Sequence, residues 1–303
     1  MQDIGNLSIA LVGYGEVGGI FGAALANAGV ARVSAFDILA SDAAWLAQAR
    51  SRSDGVLVAT SNEEAIADAA LVISAVTAAQ TSTAAAQIAR AVRKGAFVLD
   101  VNSASPRTKN ACAELVDRAG GRYVESAVMS SVPPHGIRVP MLLGGAHAEA
   151  LQPTLSALGF DAQVGSSSLG VVSAVKLCRS IVIKGMEALF IESMLAARHY
   201  GVEDEVLASL AETFPNLDWE KQATWFWRRV VQHGKRRAEE MREAAVTVSD
   251  AGVEPRMASA AAEVQAWVAA LRAAGVFEGA IKDRGFRELS DRVRGRVRDQ
   301  RTV

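Results

Sequence analysis

The first half of the chain alternates between short apolar runs and longer stretches whose apolar residues recur at helical spacing. The apolar runs have the length of strands and lie at residues 7–12, 32–37, 55–59, 71–76, 96–100, 122–125 and 141–143. The helical spacing occurs at residues 17–28, 43–50, 62–69, 81–92 and 109–119. This alternation predicts an α/β fold with a Rossmann-like, doubly wound parallel sheet.

After residue 165 the strand-like runs stop, and helical spacing continues at residues 169–199, 203–213, 219–246 and 257–274. Two domains are therefore predicted, a Rossmann-like domain at residues 1–165 and an all-α domain at residues 166–303. The tail from residue 282 carries eight basic and four acidic residues. A frayed surface helix is the favoured interpretation of this tail, and a contact with nucleic acid is the alternative.

A glycine-rich turn joins the first predicted strand to the first predicted helix. Gly13, Gly15 and Gly18 form a G-x-G-x-x-G pattern there. In a dinucleotide-binding loop the first glycine makes the tight turn, the second lets the backbone approach a pyrophosphate, and the third lets the helix pack on the strand. The start of the helix also points free N–H groups at the phosphates. The alternative is a glycine turn in an ordinary βαβ unit.

An acidic residue at the end of the second strand indicates which cofactor is bound. Asp37 lies 19 residues after Gly18, where an acid accepts hydrogen bonds from a ribose diol. Because an acid there repels the 2′-phosphate of NADP, NAD is the predicted cofactor in preference to NADP. Arg50 and Arg52 reach such a phosphate only through an unusual fold of the following loop. The predicted cofactor-binding residues are Gly13, Tyr14, Gly15, Glu16, Val17, Gly18, Asp37, Val76, Thr77 and Asn102.

The helix predicted at residues 169–199 is apolar around most of its circumference but carries a polar stripe. Ser173, Lys176, Ser180, Lys184 and Glu187 fall within an arc of about 80° at 100° per residue. Because an unpaired buried ammonium group is too unfavourable, the stripe is expected to face water, a partner or a cleft. We hypothesise that it lines a cleft between the two domains, opposite the dinucleotide site. A narrow solvated face is the alternative.

Four segments, in this order, resemble the β-hydroxyacid dehydrogenases, which include 3-hydroxyisobutyrate dehydrogenase and 6-phosphogluconate dehydrogenase. They are the glycine loop at 13–18, D-V-N-S-A-S-P at 100–106, E-S-A-V-M-S-S at 125–131 and G-V-V-S-A-V-K at 170–176. The segments at 132–136 and 176–180 resemble a subgroup with a distinctive C-terminal domain. The resemblance implies an NAD-dependent oxidoreductase that acts on a β-hydroxy acid, with Lys176 as its catalytic residue.

The resemblance also implies a substrate site, and this chain departs from the family pattern there. The family usually has Asn where Ser180 stands and Ser-Gly-Gly at residues 129–131, and both positions normally help to hold the substrate carboxylate. The reaction type is therefore better supported than the substrate. The predicted substrate-binding residues are Ser103, Met129, Ser130, Ser131, Ser180, His135 and Arg237.

The implied chemistry needs a group that moves the proton of the substrate hydroxyl while hydride passes to the nicotinamide. A lysine does this when its pKa, ordinarily about 10.4, is lowered toward the working pH. A buried cleft and the cations Arg179 and Lys184 are expected to lower the pKa of Lys176. Imine reductases of similar architecture have other residue types at this position, so Lys176 favours alcohol oxidation. An imine or keto reductase and a non-catalytic dinucleotide-binding module remain the alternatives.

Two substrate-binding candidates have competing structural interpretations. His135 follows Val-Pro-Pro, which is first of all a rigid turn. Arg237 lies on the helix predicted at 219–246, where a surface arginine is favoured over an anion-binding one. Four aromatic residues of the same helix are expected in the core or in a subunit interface, namely Trp219, Trp225, Phe226 and Trp227.

Composition and charge narrow the classes of partner. The 303 residues carry a net charge of −1, which gives no overall attraction to nucleic acid or to an anionic membrane. Charged residues interrupt the apolar stretch at 171–197, so a buried helix is predicted there instead of a membrane span. Cys112 and Cys178 have no metal-ligand spacing, and neither a metal nor a disulfide is predicted. We expect a cytoplasmic protein that forms a homodimer through its apolar helical half.

Overall fold

The computed structural model describes residues 4–53, 55–279 and 281–301, with side chains described as far as residue 296. The chain divides into two compact units, Met1–Leu177 and Cys178–Val303. The last strand of the sheet ends at Ser166, close to the predicted boundary at residue 165. The first unit nevertheless continues to Leu177 and takes in the start of the long helix, because hydrogen bonds join that helix start to the sheet.

One sheet organises the first unit. Its strands are β1 (Ser8–Val12), β2 (Arg32–Phe36), β3 (Val56–Val58), β4 (Leu71–Ser74), β5 (Phe97–Asp100), β6 (Arg122–Val128), β7 (Met141–Gly144) and β8 (Ala162–Ser166). Within the described residues they lie in the order β3-β2-β1-β4-β5-β6-β7-β8. Neighbouring strands are parallel except for β6 and β7, which are antiparallel. The predicted Rossmann-like sheet is therefore confirmed.

Helices cover both faces of this sheet. They are α1 (Glu16–Asn27), α2 (Ala43–Arg52), α3 (Asn62–Ile66), α4 (Thr81–Ala91), α5 (Pro106–Arg118), α6 (Val132–His135) and α7 (Ala148–Ala157). Because side chains alternate along a strand, Ile9 and Leu11 of β1 join the core packed by α1 and α7. Ala10 and Val12 join the opposite core, which α3, α4 and α5 complete. This two-sided burial explains the apolar runs in the sequence.

The sequence pattern does not predict α7 or β8, and it places the start of α5 too late. Pro153 lies inside α7, and an internal proline is normally unfavourable in a helix. β8 is the last strand of the sheet, and its residues 163–165 are exposed, so it lacks an apolar run. α5 begins at Pro106 because Ser105 caps the Thr108 N–H group and proline fits the first helical turn.

The second unit is helical in the residues that the structure describes. It contains most of α8 (Val171–Tyr200), followed by α9 (Glu203–Thr213), α10 (Trp219–Asp250), α11 (Arg256–Ala273) and α12 (Phe286–Arg301). Its core includes Trp219, Phe226 and Trp227, in agreement with the sequence analysis, whereas Trp225 is 43% exposed. α10 packs closely on α11, since a Cβ at Gly234 would lie 2.7 Å from the Gln265 carbonyl oxygen.

As far as residue 296, the C-terminal tail packs into this helical core, so the expectation of a frayed surface helix is wrong for this part of the tail. Phe286, Leu289 and Val293 recur at helical spacing along α12 and are buried. On its outer side Arg287 forms ion pairs with Asp204 and Glu220. The described basic residues of the tail therefore lie around an apolar face, which a count of charges does not reveal.

Across the described parts of the chain, no helix combines the length and the apolar character needed to cross a membrane.

Candidate functional site

The carboxyl ends of the parallel strands bring the predicted cofactor-binding segments to one edge of the sheet. The strand order reverses at β1, whose neighbours are β2 on one side and β4 on the other. Ligands of open α/β sheets bind at such a switch point, outside the carboxyl ends of the strands. The segments that follow β1, β2, β4 and β5 there begin at Gly13, Asp37, Ala75 and Val101.

The three glycines of the loop are required for different reasons. Gly13 has a φ of +95°, and a Cβ on it would collide with the backbone of Ala75. A Cβ on Gly18 would collide with the carbonyl oxygen of Gly13. A Cβ on Gly15, in contrast, would meet no protein atom within 4 Å. Packing within the protein explains Gly13 and Gly18, while the open space at Gly15 fits the close approach of a pyrophosphate.

The start of α1 presents backbone N–H groups to this open space. Gly15 is the N-cap residue, and within the described structure no side chain caps this helix start. The first N–H groups of a helix lack intrahelical partners and bind anions. Around them Glu16 is exposed, whereas Tyr14 and Val17 are half-buried against the core. Burial raises the pKa of the Tyr14 phenol.

Asp37 holds the glycine loop and retains capacity for further hydrogen bonds. Its Oδ2 accepts a hydrogen bond of 2.8 Å from the Tyr14 N–H, and its Oδ1 accepts one of 3.1 Å from the Leu39 N–H. A carboxylate offers about four acceptor sites, so these two contacts leave room for ribose hydroxyls. Ile38 and Leu39 beside it are exposed.

The two arginines that follow Asp37 in sequence make hydrogen bonds within their own segment. The Arg50 guanidinium donates from Nε and Nη2 to the Val58 carbonyl, at 3.2 and 3.1 Å. The Arg52 Nε donates to the Gln48 carbonyl. Arg50 is thereby oriented toward β3, and Arg52 stays on the surface of α2.

Asn102 joins the ends of β4 and β5. Its Oδ1 accepts a hydrogen bond of 2.7 Å from the Val76 N–H, and its Nδ2 donates to the Ser74 hydroxyl at 3.0 Å. Of the neighbouring predicted residues, Val76 and Ser103 are half-buried and Thr77 is exposed. The buried amide of Asn102 therefore shapes the loop that carries Val76 and Thr77.

Immediately behind Asn102 lies a buried cluster that was not predicted from the sequence. Lys109 Nζ lies 2.8 Å from Asp100 Oδ1, and the Tyr123 hydroxyl donates to Asp100 Oδ2 at 2.6 Å. All three side chains are buried. A signal was present, because Lys109, Cys112 and Val116 lie on one buried face of α5 at helical spacing, and a lysine on such a face needs a partner.

A second missed residue, Glu125 of β6, anchors the start of α8. Its fully buried carboxylate accepts hydrogen bonds from the Gly170 N–H, at 2.6 Å, and from the Ser173 hydroxyl. Gly144 leaves the necessary space, since a Cβ there would lie 2.6 Å from Glu125 Oε1. Lys176 follows Ser173 by three residues, is half-buried, and belongs to the first compact unit.

The rest of the polar stripe on α8 is occupied by partners within the helical unit. Lys184 Nζ lies 2.5 Å from Glu240 Oε2 and donates to the Ser180 hydroxyl at 3.3 Å. Lys184 and Ser180 are buried, and this burial lowers the pKa of Lys184 although Glu240 opposes the shift. The alternative of a narrow solvated face is therefore wrong for this part of the helix. The ammonium group of Lys184, which was expected to lower the pKa of Lys176, is paired with the Glu240 carboxylate.

Arg237 is buried, so its interpretation as a surface arginine is wrong. Its Nη2 pairs with Glu187 Oε2, and Arg229 Nε lies 3.3 Å from the other oxygen of Glu187. Gln265 also donates to Glu187. The predicted role of Arg237 in substrate binding stays a prediction, and its observed partner is Glu187.

The predicted substrate loop follows β6 at the same edge of the sheet. Met129 is half-buried, whereas Ser130, Ser131 and His135 are exposed. The structure brings two of these together, since the Ser130 Oγ and the His135 Nε2 lie 3.2 Å apart. His135 ends the short helix α6, whose second and third residues are prolines, in agreement with the rigid-turn interpretation. The substrate-binding roles of the four residues stay predictions.

Among the described residues, no group of three or more histidine, cysteine, aspartate or glutamate side chains is arranged to hold a metal ion.

Comparison with known protein families identifies both halves of the chain. Residues 8–163, just over half of the 303 residues, match the family described as the NAD binding domain of 6-phosphogluconate dehydrogenase. Residues 197–268 match a domain of unknown function, DUF1932. The second match corresponds to the distinctive C-terminal domain expected from the sequence.

Individual relatives agree with this assignment. An uncharacterized 28.5 kDa protein of Methanothermus fervidus is 30% identical over 159 residues, which are 52% of this chain and 60% of that protein. A conserved hypothetical protein from Sinorhizobium meliloti is 36% identical, with a TM-score of 0.73 over 96% of this chain and 98% of the other. Mycobacterium tuberculosis 3-hydroxyisobutyrate dehydrogenase shares the fold, at 18% identity and a TM-score of 0.69 over 95% and 99% of the two chains.

These matches agree with the glycine loop, the strand order and the four sequence segments. The chain therefore belongs to the β-hydroxyacid dehydrogenase family, with the NAD binding domain of 6-phosphogluconate dehydrogenase and a C-terminal DUF1932 domain.

Proposed function

We propose that the protein is an NAD-dependent oxidoreductase that transfers a hydride between a β-hydroxy acid and nicotinamide, with Lys176 as general acid and base. The observation that carries this proposal is the attachment of α8 to the sheet at Glu125. Glu125 is paired in register with Asp100, at the carboxyl end of β5. Lys176 follows the attached Ser173 by one helical turn, which supports a position near the cofactor edge.

Residues of the first unit suit the pyrophosphate and the adenosine ribose of the cofactor. The open space at Gly15 and the N–H groups of α1 suit the pyrophosphate, and Asp37 suits the adenosine ribose. When NAD is bound, its nicotinamide supplies the hydride acceptor or donor. The chain must orient the substrate, exclude water and move one proton at the substrate hydroxyl.

NAD is proposed in preference to NADP. An acid at the end of β2, as Asp37 is, would repel the 2′-phosphate of NADP, because like charges repel. Arg50 is hydrogen-bonded to the Val58 carbonyl and Arg52 to the Gln48 carbonyl, so part of each guanidinium is engaged away from Asp37. These contacts support the choice of cofactor.

The proton transfer is assigned to Lys176 and the orientation of the substrate to hydroxyl-bearing residues. In the oxidation direction a neutral lysine accepts the hydroxyl proton, and in reduction its ammonium returns it. The proposed substrate ligands are Ser103, Met129, Ser130, Ser131, Ser180, His135 and Arg237. The hydroxyls of Ser130 and Ser131 are exposed and follow β6 at the cofactor edge, which supports contact with a small carboxylate substrate.

We also propose that the protein is a homodimer through its helical unit. α8 exposes the apolar side chains of Val182, Met186 and Leu189, which recur at helical spacing on one side of the helix. Their exposed fractions are 60%, 36% and 63%. A second copy would cover this apolar strip, as contiguous exposed apolar surface commonly marks an interface.

A substrate screen tests the proposed reaction. The protein is incubated with NAD and a panel of aliphatic and aromatic β-hydroxy acids, and NADH formation is followed by its absorbance. The corresponding α-hydroxy acids are the matched control substrates. We expect turnover with at least one β-hydroxy acid and none with its α-isomer. NADH binding without turnover of any panel member or its keto acid would instead support a non-catalytic dinucleotide-binding module.

A further inference from the structure

A buried ionic cluster lies directly behind the cofactor edge and has no part in the proposed chemistry. It consists of Lys109 of α5, Asp100 at the end of β5 and Tyr123 of β6. Lys109 is 0% exposed, and Asp100 and Tyr123 are each 2% exposed. Burying a lysine and a carboxylate is unfavourable unless good geometry compensates the lost hydration.

Two side chains, Lys109 and Tyr123, hold the Asp100 carboxylate in one orientation. Lys109 Nζ lies 2.8 Å from Asp100 Oδ1 and also donates to the Asp100 carbonyl at 3.1 Å. The Tyr123 hydroxyl donates to Asp100 Oδ2 at 2.6 Å. Burial, followed by the neighbouring Asp100, raises the pKa of Tyr123 well above its ordinary value, which keeps the phenol a donor. One oxygen of the Asp100 carboxylate is thus held by Lys109 of α5 and the other by Tyr123 of β6.

The oriented carboxylate in turn fixes the loop after β4. Asp100 Oδ1 accepts a hydrogen bond of 2.9 Å from the Asn102 N–H. The Asn102 amide then accepts from the Val76 N–H at 2.7 Å and donates to the Ser74 hydroxyl at 3.0 Å. A continuous chain of hydrogen bonds therefore runs from Lys109 and Tyr123 to the backbone of Val76.

The loop at the end of this chain of hydrogen bonds, Ala75 and Val76, contacts the glycine loop. A Cβ on Gly13 would collide with the backbone of Ala75 and lie 3.0 Å from Val76 Cγ1, so the two loops are in direct contact. The Ala75 N–H also donates to the Val12 carbonyl at 2.8 Å. The loop after β4 therefore borders the glycine loop at the cofactor edge of the sheet.

We infer that Lys109 and Tyr123 are positioning residues for the nicotinamide half of the cofactor, acting through Asp100, Asn102 and the Val76 backbone. This inference rests on the NAD binding of the proposed function and is independent of the substrate and of Lys176. Dinucleotide-binding sheets of this strand order generally consist of two mononucleotide-binding halves, and Asp37 lies in the half that by this rule takes the adenosine. The loops after β4 and β5 belong to the other half, so the cluster supports the nicotinamide nucleotide and not the adenosine.

The inference predicts that removing the cluster weakens binding of NADH but not of AMP. Dissociation constants of NADH and of AMP are measured by titration calorimetry for the unmodified protein, Tyr123→Phe and Lys109→Met. We expect the dissociation constant of NADH to rise about fivefold in Tyr123→Phe and tenfold or more in Lys109→Met. The dissociation constant of AMP should stay unchanged in both. With a substrate in hand, KM for NAD should rise more than kcat falls.

The matched control is Lys184→Met, which breaks the buried lysine–carboxylate pair of the helical unit. It should lower the unfolding midpoint while leaving the affinities for NADH and AMP unchanged. If Lys109→Met does not fold, Tyr123→Phe decides, because it removes only a hydroxyl. Unchanged NADH affinity in the folded variants, or an equal loss for AMP and NADH, overturns the inference alone. Failure of the unmodified protein to bind NADH overturns the proposed function as well.

Discussion

Each of the two compact units buries a lysine paired with a carboxylate, and the two pairs differ in what surrounds them. Lys109 and Asp100 of the first unit connect through Asn102 to the backbone of the cofactor edge. Lys184 and Glu240 of the helical unit lie on α8 and α10. These helices also carry a second buried pair, Glu187 and Arg237.

The difference teaches that the type and burial of an ion pair do not reveal its role. Both lysines are buried, so both contribute to stability only while their partners are present. What separates them is the next hydrogen bond, which leads through Asn102 to the Val76 backbone in the first unit and to Ser180 of α8 in the helical unit. We therefore expect substitution of Lys109 to weaken cofactor binding, and substitution of Lys184 to lower stability without weakening cofactor binding.

The largest effect is expected for Lys176→Ala, at the end of the first unit. Turnover with the true substrate should fall by roughly 10²–10⁴, the usual effect of losing a positioned proton-transfer group. The unfolding midpoint and the affinity for NADH should change little, because Lys176 is only half-buried and the glycine loop is formed by other residues. Steady-state kinetics and calorimetry measure the three quantities.

The control is Lys235→Ala, which removes an exposed lysine from α10. It should leave turnover unchanged. Near-normal kcat in Lys176→Ala would show that Lys176 is not the proton-transfer group. His135 would then be the next candidate for that role.

The next largest effect is expected for Lys184→Met in the helical unit. The free energy of unfolding should fall by about 3 kcal/mol, the lower end of the range for a broken buried pair, because the half-buried Glu240 loses Lys184 but keeps Arg236 at 3.8 Å. Denaturant titration measures this, and NADH titration should show unchanged affinity. The double variant Lys184→Met with Glu240→Gln should recover part of the loss. Weakened NADH binding in the single variant would contradict the proposed division between the units.

The third prediction concerns cofactor choice in the first unit. The ratio of kcat/KM for NAD to that for NADP should be roughly 10², because a like-charge contact is strongly unfavourable. Asp37→Ser should reduce this ratio by at least roughly tenfold by removing the negative charge. Asp42→Ser, which removes an exposed helix-capping carboxylate nearby in sequence, is the control. A preference for NADP in the unmodified protein would refute the assignment.

The fourth prediction concerns assembly through the helical unit. Leu189→Glu places a charge on the exposed apolar strip of α8 and should convert the dimer into a monomer, as measured by light scattering at micromolar concentration. Lys235→Glu, an exposed charge change on α10, should remain dimeric. A monomeric unmodified protein with full activity would show that no dimer is needed.

The smallest effect is expected from a surface ion pair of the C-terminal helix. Arg198 lies 2.8 Å from Asp291 and lowers the pKa of that carboxyl from its ordinary value of 3.8. Because the folded-state pKa is the lower one, the stabilisation is present above pH 3.8 and is lost as the pH falls through the lowered pKa.

Asp291→Asn should accordingly reduce stability at neutral pH by about 0.2–1 kcal/mol, as is usual for a partly exposed pair. The difference between variant and unmodified protein should disappear in strongly acidic solution. Thermal unfolding at a series of pH values measures it, and a difference that persists at low pH would argue against this ion pair as the cause.

Local patterns were sufficient to predict most of the first unit and the backbone of its cofactor site. Gly13 and Gly18 are required by the turn itself, and Asp37 follows from its place at the end of β2. These features depend on neighbouring residues and on strand order, both of which the sequence displays. The missed elements broke the local rules, as α7 does with its internal Pro153 and β8 with its exposed residues.

For the polar stripe of α8, the sequence was sufficient to predict the position of the stripe but not its partners. Its arc on the helix followed from periodicity, but the partners of Lys184 and Glu187 are 56 and 50 residues away on α10. Periodicity reveals which side of a helix is polar and not which helix faces it. The stripe was therefore identified correctly as a feature, and its environment in the helical unit was not.

By itself the sequence determined the alternation of strands and helices, the glycine loop, the acid after β2 and the position of Lys176 on a long helix. Only the tertiary structure decided which buried charges are paired, including Asp100 with Lys109 and Lys184 with Glu240. It also decided that Glu125, 48 residues before Ser173, holds the start of α8 on the sheet. The physical reason is that periodicity and turns arise between neighbours along the chain, whereas a buried charge is stabilised by whichever partner folding brings within hydrogen-bond distance.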